Sequence, residues 1–475
     1  MSSSPAPPTD ASAAPTEPGL LQRLFTPVDG SSLVAFRLIF GGCMLFEHMK
    51  YWLKGYHQHA LIDPIFHFSF YGFSWVKELP EPAMNAVFVA IALSSFCVMV
   101  GAFYRIAAAV LFVTFSYTFL LEATAYRNHV YLLSLLSFMM IFLPAHRAFS
   151  VDARRNPELK SQVIPVWPVW LLRFQIGVVY FFAGVAKFDP DWIAGRAIES
   201  IFRAGDHSPE VLTFLLQTPV KFFFVWSGMC FDLFVPFLLL WRRTRPFAYL
   251  AVMGFHLTNA TFLVDVGIFP WFTLMASSIY FSPSWPRRLI ARLDASVRRS
   301  PPELEGARPP TSLTGLQKSI VAVLLVHVAF QLFMPLRQHL YPGWTSWTHE
   351  GHRWAWRMKL VTKDVQTMRF YTLDESGRKI ELPVDTIPPS TGRPVRLAPF
   401  QTGRVGRQPD LLIQYVHDIA QNLKLTTGKD MPVYADVWVS LNGRPAQQIV
   451  DPNVDLSKER ATLAHSKWIL PYRGE

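Results

Sequence analysis

One lysine ends a long apolar run, in a position where its amine could act as a base. The run begins near Trp167 and closes with Tyr180-Phe-Phe-Ala-Gly-Val-Ala-Lys187. About 20 apolar residues are enough to span a membrane as a helix, so Lys187 is predicted to lie at the end of a membrane helix. An ionisable residue in a membrane segment is a candidate functional group.

Two interpretations of Lys187 follow from these residues alone. In the first, apolar neighbours desolvate the amine, which lowers the pKa of a lysine and leaves a neutral base. The expected neighbours are Phe181, Phe182, Val185 and Phe188. In the second, the lysine extends its charged end to the membrane surface. The first predicts a buried side chain, and the second predicts a charged and exposed one.

Two histidines in other apolar segments are the next candidates for proton chemistry. His129 follows Asn128 at the predicted start of a helix, on the same side of the membrane as Lys187. His256 lies inside a predicted membrane helix, in Gly254-Phe-His-Leu-Thr-Asn259. A buried imidazole needs a hydrogen-bond partner, so His256 is expected to have one. A capping or packing role is the alternative for His129.

Four residues of one predicted loop could mimic a metal site. His57, His59 and His67 lie near Asp63, but loop histidines also cluster by chance and no supporting second layer of residues is evident. The three cysteines all fall in apolar runs and lack the spacing of metal ligands. A phosphate-binding loop, a nucleophile elbow and a dinucleotide fingerprint are also missing from the sequence. The prediction is a site without metal.

Several polar residues fall inside the predicted membrane helices. They are Glu47, His48, Arg173, Gln175 and Asp232. Polar side chains at such positions commonly form hydrogen bonds between neighbouring helices. This structural role is therefore the prediction for each of them.

The composition indicates a polytopic membrane protein. Of the 475 residues 51% are hydrophobic, 39 are Phe and 15 are Trp, and the mean hydropathy is +0.22. The net charge of +11 comes mostly from loops between apolar runs, so it does not indicate nucleic-acid binding. The predicted fold is an all-α bundle of about eight or nine helices, near 32–53, 83–101, 104–121, 129–144, 167–187, 218–241, 246–264, 267–282 and 318–338.

The distribution of positive charge predicts the orientation in the membrane. Loops on the N-terminal side carry fifteen Lys and Arg residues, against seven on the opposite side. The positive-inside rule then places the N-terminus in the cytoplasm, and nine crossings place the C-terminal part outside. Residues 1–24 are predicted to be a disordered tail, because their first part is rich in Pro, Ser and Ala. Residues 25–340 would form the transmembrane domain, and residues 341–475 an extracytoplasmic domain.

The C-terminal domain is predicted to be mostly β, in an α+β arrangement. Strand-like alternation occupies Gln366–Leu373 and Arg378–Val384, and a second hairpin turns at Asn442-Gly443 because this dipeptide suits a tight β-turn. Between the hairpins, apolar residues from Leu411 to Leu423 recur with helical spacing. The tryptophan-rich stretch Trp344–Met358 suits the membrane–water boundary.

Several of these segments together resemble the vitamin K-dependent gamma-carboxylase family, in a bacterial form with an HTTM-type membrane domain. The segments are Tyr180–Trp192 (YFFAGVAKFDPDW), Asn128-His129, Phe255-His256 with Asn259, Pro64–Trp75, and Arg353, Trp354, Trp356 and Arg357. The resemblance covers most of residues 25–470 and is weakest in the C-terminal domain. The animal enzymes carry two adjacent lysines where this chain has Ala186-Lys187, so only the second is kept.

The resemblance implies an integral membrane gamma-glutamyl carboxylase. It would couple the epoxidation of reduced vitamin K, or of menaquinol, by O2 to the carboxylation of a peptide glutamate with CO2. In the family, the lysine at the position of Lys187 deprotonates the hydroquinone, and the histidine at the position of His129 serves carboxylation. The implied cofactor-binding residues are Asn128, Tyr180, His256 and Asn259.

The implied partners are membrane lipid, a quinone and a glutamate-containing peptide or protein, and the implied location is a bacterial inner membrane with the C-terminal domain in the periplasm. Two other functions stay open. The first is a lipid-quinol epoxidase or oxidase that carboxylates nothing. The second is a quinone- or lipid-binding membrane protein without catalysis, which predicts that Lys187 is charged and exposed.

Overall fold

The computed structural model describes residues 17–262, 267–293, 304, 308–382 and 397–474. In this part of the chain, nine apolar helices form at the predicted positions. They are α1 (Ser31–Leu53), α2 (Glu81–Val100), α3 (Tyr104–Leu121), α4 (Asn128–Phe142), α5 (Trp167–Ala186), α6 (Thr218–Leu240), α7 (Arg245–Phe262), α8 (Phe269–Ala276) and α9 (Gly315–Leu336). The predicted fold class, a helical membrane bundle with a C-terminal part that contains a β-sheet, is confirmed.

Six of the described helices are long and apolar enough to cross a membrane, namely α1, α2, α3, α5, α6 and α9. The helix α4 is apolar but shorter. In lipid, a helix satisfies its own backbone hydrogen bonds, so these runs of Leu, Phe, Val and Ala fold as helices wherever they are long enough. The chain is therefore a multi-pass membrane protein.

Shorter elements connect these helices. The short helices are Leu20–Arg23, Val151–Arg155, Pro190–Ile193, Arg196–Ala204, Pro209–Leu216, Trp285–Leu293, Thr345–Thr348 and Pro399–Val405, with single turns of other helix types at Gln58–Ile62, Ala123–Ala125, Pro157–Leu159, Ser277–Tyr280 and Arg337–Leu340. Strands β1 (Pro27–Asp29) and β2 (Val163–Pro165) pair antiparallel. Of the predicted disordered tail, residues 1–16 lie outside the described part, whereas Leu20–Arg23 forms a helical turn.

The helix α5 lies at the centre of the bundle. In the most apolar stretch of α5, 72% of the residues are buried inside the protein. The corresponding share for α9 is 17%, so α9 presents most of its surface outward. The helix α6 crosses α5 closely at Gly184, where an added Cβ would come within 2.7 Å of the backbone nitrogen of Leu233. The glycine therefore allows the two helix backbones to approach each other one turn before Lys187.

The C-terminal part contains a four-stranded antiparallel sheet of β3 (Lys363–Leu373), β4 (Lys379–Leu382), β5 (Tyr434–Leu441) and β6 (Gln447–Gln448), in the order β4-β3-β5-β6. The predicted helix is α10 (Pro409–Thr427), and its Tyr415 packs edge-on against Phe370 of β3 with ring centres 5.5 Å apart. Asn442 and Gly443 both have positive φ, as a tight hairpin turn requires. The strand predicted at Arg378–Val384 is described from Lys379 to Leu382, and residues 383–396 lie outside the described part.

Two aspartates just after α5 hold the C-terminal part against the bundle. Asp189 accepts hydrogen bonds from Arg357 at 3.0 Å and from the Trp344 indole at 2.9 Å. Asp191 accepts hydrogen bonds from Arg444 at 2.5 Å and from Asn442 at 2.9 Å. Both carboxylates are buried. The loop after Lys187 is therefore fixed by residues that lie far along the chain.

Two further loops at the same end of the bundle bind the C-terminal part. The side chain of Gln414 hydrogen-bonds with the backbone of Ser69, which lies between α1 and α2. The side chain of Gln401 donates to the Glu122 carboxylate, which lies between α3 and α4, at 2.9 Å. The loop that follows Lys187 and the loop that precedes Asn128-His129 are therefore both bonded to the C-terminal part.

Candidate active site

One cavity of about 1190 Å³ extends from the helical bundle to the C-terminal part. It is lined by all six residues that the sequence predicts for the site: Asn128, His129, Tyr180, Lys187, His256 and Asn259. These residues belong to α4, to α5 with its C-terminal cap, and to α7, so residues up to 131 positions apart in the chain share one space.

Lys187 is buried at the C-terminal end of α5, with 5% of its surface exposed. Its Nζ donates to Oδ2 of Asp232 on α6 at 2.5 Å and to the carbonyl of Ala183 at 3.3 Å. The Trp192 ring centre lies 4.8 Å from the same nitrogen. Lys187 is therefore not the exposed lysine of the second interpretation given above.

The surroundings of Lys187 differ from the expected apolar wall. Phe188 is 59% exposed, because the chain turns after α5 and directs this side chain away from the site. The nearest polar partner is the buried carboxylate of Asp232. Asp232 does form the expected bond between helices, but its partner is the candidate base, which the sequence did not indicate.

Tyr180 and His256 form a second buried polar pair inside the bundle. The hydroxyl of Tyr180 lies 2.7 Å from Nε2 of His256 and 3.3 Å from Oγ of Ser277. The hydrogen-bond partner expected for His256 is therefore a tyrosine of the neighbouring α5. Among the described residues, nothing hydrogen-bonds the other ring nitrogen, the buried Nδ1 of His256. This nitrogen is free to bind a polar group of a ligand.

His129 and Asn128 have different environments although they are adjacent. Both polar atoms of the Asn128 side-chain amide form hydrogen bonds. Its nitrogen donates to the carbonyl of Arg357 at 3.0 Å, and its oxygen accepts from the Tyr126 hydroxyl at 3.0 Å. The ring of His129 stacks on Phe269 with 5.7 Å between ring centres. Phe269 also packs edge-on against His256. One phenylalanine thus lies between the two candidate histidines.

The two ends of the cavity differ in chemical character. The walls that α6, α7 and α8 contribute within the bundle are rich in phenylalanine: Phe231, Phe234, Phe255 and Phe269. The opposite end is basic: Arg127, Arg357, Lys359, Lys363, Arg404 and Arg407. Among the described residues that line the cavity, Asp232 is the only one with a carboxylate side chain. The cavity can therefore hold an apolar aromatic group at one end and an anion at the other.

Residues 349–359, which we call the covering segment, contribute to the lining of the basic end and have an unusual backbone. His349, Trp354, Trp356 and Lys359 all have positive φ, between 55° and 63°. This conformation is uncommon for residues other than glycine, and such residues collect at functional sites, where each costs about 1–3 kcal/mol. No glycine marks these four positions, so sequence reasoning missed the feature.

Two half-buried histidines lie in this covering segment. His349 and His352 both line the cavity, and their ring centres are 4.7 Å apart. Burial, together with the positive charge of Arg353, lowers the pKa of His352 to about 3. His352 is therefore a neutral imidazole at neutral pH and does not contribute to the positive charge of this end.

The loop histidines considered for metal binding do not come together. His59 contacts Asp63 at 3.0 Å, whereas His67 contacts Glu122 at 3.1 Å. Neither of these histidines lines the cavity. In the described ranges, no three side chains of His, Cys, Asp or Glu form a group of metal-binding type.

Comparison with known families gives two matches. The HTTM domain family matches residues 25–285. The lumenal domain of vitamin K-dependent gamma-carboxylase matches residues 316–475. No solved structure matches the chain.

Proposed function

Because the chain belongs to the vitamin K-dependent gamma-carboxylase family, we propose that it couples epoxidation of a reduced vitamin K by O2 to carboxylation of a peptide glutamate with CO2. The observation that supports this most is the shared cavity. It joins a phenylalanine-lined end in the bundle to a basic end under the C-terminal part, and Lys187 and His129 both line it.

The aromatic end fits a hydroquinone ring with an apolar tail. Its phenylalanines can pack against the ring, and Nδ1 of His256, which has no hydrogen-bond partner among the described residues, can bind a hydroxyl group. Tyr180 fixes the orientation of His256 through their 2.7 Å hydrogen bond. When bound and oxidised by O2, reduced vitamin K supplies a base strong enough to remove a γ-proton from glutamate. Lys187 with Asp232 takes the proton of the hydroquinone hydroxyl.

The basic end fits the carboxylate of a glutamate side chain. Its arginine and lysine side chains attract an anion and hold it by charge-assisted hydrogen bonds. His129 lies on the cavity wall with no hydrogen bond to its ring from the described residues, so it can assist proton transfer or stabilise charge at the glutamate. The phenylalanine walls exclude water, which would otherwise protonate a strong base.

One assay distinguishes the proposed function from the two alternatives. The detergent-solubilised protein is incubated with reduced vitamin K, labelled bicarbonate and a glutamate-containing peptide, and epoxide and incorporated label are measured separately. We expect both products. Epoxide without label would mean a quinol epoxidase, and neither product would mean a binding protein without catalysis. The basic end of the cavity favours the carboxylase, because a quinol epoxidase does not need an anion site.

We place residues 25–340 in a bacterial inner membrane, with the N-terminus in the cytoplasm and residues 341–475 in the periplasm. The excess of Lys and Arg in loops on the N-terminal side supports this orientation. Protease added to intact spheroplasts should therefore remove the chain after about residue 345, while a tag at the N-terminus stays protected. Digestion of the N-terminal tag with protection of the C-terminal part would reverse the orientation.

A further inference from the structure

The contact between Lys187 and Asp232 bears on which of the two side chains finally accepts the proton of the hydroquinone. Opposite charges that are buried together stabilise each other, and separating them is costly. A lysine that is charged at rest has three N–H donors and no acceptor, so it cannot take a proton directly. The Asp232 carboxylate, 2.5 Å from Nζ, can accept one.

Asp232 is less constrained than the two carboxylates nearby. Asp189 accepts hydrogen bonds from Arg357, Trp344 and Ser346. Asp191 is bound in the same way by Arg444 and Asn442. Among the described residues, Lys187 alone hydrogen-bonds the Asp232 carboxylate. Of these three carboxylates, Asp232 is the one that can gain a proton without losing an arginine partner.

The fold brings this pair together through a close helix crossing. At Gly184 an added Cβ would lie 2.7 Å from the backbone nitrogen of Leu233, the residue after Asp232. A larger residue at 184 would separate α5 and α6 at the point where the two side chains meet. Lys187 also receives a second fixed contact, to the carbonyl of Ala183. The position of Nζ is therefore set by both helices.

We propose that Asp232 is the final acceptor of the hydroquinone proton, which reaches it through Lys187. The Lys187 ammonium passes one proton to Oδ2 of Asp232 and receives one from the hydroxyl group of the hydroquinone. One N–H bond of Nζ breaks as the O–H bond of Oδ2 forms, a new N–H bond forms as the hydroquinone O–H bond breaks, and the electron pair of that O–H bond stays on the hydroquinone oxygen. The ammonium is unchanged in proton count, the carboxylate becomes a carboxylic acid, and Lys187 need not be neutral at rest. This inference rests on the proposed function.

Infrared difference spectroscopy tests the proton transfer without turnover. Reduced vitamin K is added to the whole protein under anaerobic conditions, and the C=O stretch of a protonated carboxyl group is recorded. We expect this band to appear in the wild type, to be absent in Asp232→Asn, and to shift in frequency in Asp232→Glu. Glu47→Gln is the matched control, because Glu47 is a buried carboxylate of α1 that does not line the cavity. It should keep the band.

Epoxide formation gives a second readout. Asp232→Asn should lower it by roughly 10²-fold or more, the usual effect of removing a general base, and Asp232→Glu should restore part of it. No band in an epoxide-forming wild type, or a band that persists in Asp232→Asn, would overturn the inference and leave the proposed function standing. The band reports proton transfer whether or not epoxide forms, so failure of the proposed function is seen separately.

Discussion

Lys187→Ala is expected to abolish epoxide formation and carboxylation together. Both reactions follow the removal of one proton from the hydroquinone, and Lys187 is the residue of the pair that we expect to contact it. Loss of a general base typically lowers a rate by 10²- to 10⁴-fold, so both products should fall by about this factor. The measurement is the two-product assay, with expression and detergent-stable folding recorded for each variant.

Two further experiments test whether Lys187 takes part in proton transfer or has only a structural role. Lys187→Arg should not restore activity, because a guanidinium gives up its proton too reluctantly to relay one. A small external amine should restore part of the activity of Lys187→Ala, since it can occupy the vacated space beside Asp232. Lys221→Ala is the matched control, because Lys221 lies at the same end of the bundle, pairs with Glu199 and does not line the cavity. Near-normal epoxide formation by Lys187→Arg would show that Lys187 does not transfer the hydroquinone proton.

His129→Ala is expected to uncouple the two half-reactions. His129 lies at the start of α4, beside the segment that covers the basic end, and Asn128 before it is bonded to Arg357 of that segment. Incorporation of label should fall by roughly 10²-fold, in line with loss of a group that assists proton transfer, while epoxide formation should largely survive. The ratio of epoxide to incorporated label measures the effect.

The control for this variant is His339→Ala, because His339 is exposed and does not line the cavity. It should leave the ratio of the two products unchanged. If His129→Ala lowers epoxide and label equally, His129 either binds the quinol or supports the fold. His129 stacks on Phe269, and Phe269 also contacts His256. Loss of the His129 ring could therefore displace Phe269 and disturb the aromatic end.

The helices could be predicted from sequence because lipid leaves a long apolar run few alternatives. Lys187 and His129 could be proposed because each lies beside a helix end in a recognisable motif. The pairing of Lys187 with Asp232 could not be predicted, since the two residues are 45 positions apart and meet at a close helix crossing where a Cβ at Gly184 would clash. Periodicity identifies helices, but it does not specify which of their faces meet.

The covering segment shows a second limit of sequence reasoning. Its tryptophans were expected to lie at the membrane surface, yet Trp356 is fully buried and stacks on Tyr131, with 4.9 Å between ring centres. Positive φ at four non-glycine positions is imposed by such packing and leaves no local signal. In the same way, Asp189 and Asp191 belong to the motif around Lys187, but their partners lie in the C-terminal part.

These two aspartates also bear on biosynthesis. Ribosomes make the chain from its N-terminus, so the loop after α5 is inserted long before its partners exist. Arg444 follows Asp191 by 253 residues, and Arg357 follows Asp189 by 168. Until both arginines have been translated and folded, two carboxylates beside Lys187 have no counter-charge from the C-terminal part. The nascent protein therefore cannot complete these contacts early, and a ribosome that stops before residue 444 would release a chain without the ion pair between Asp191 and Arg444.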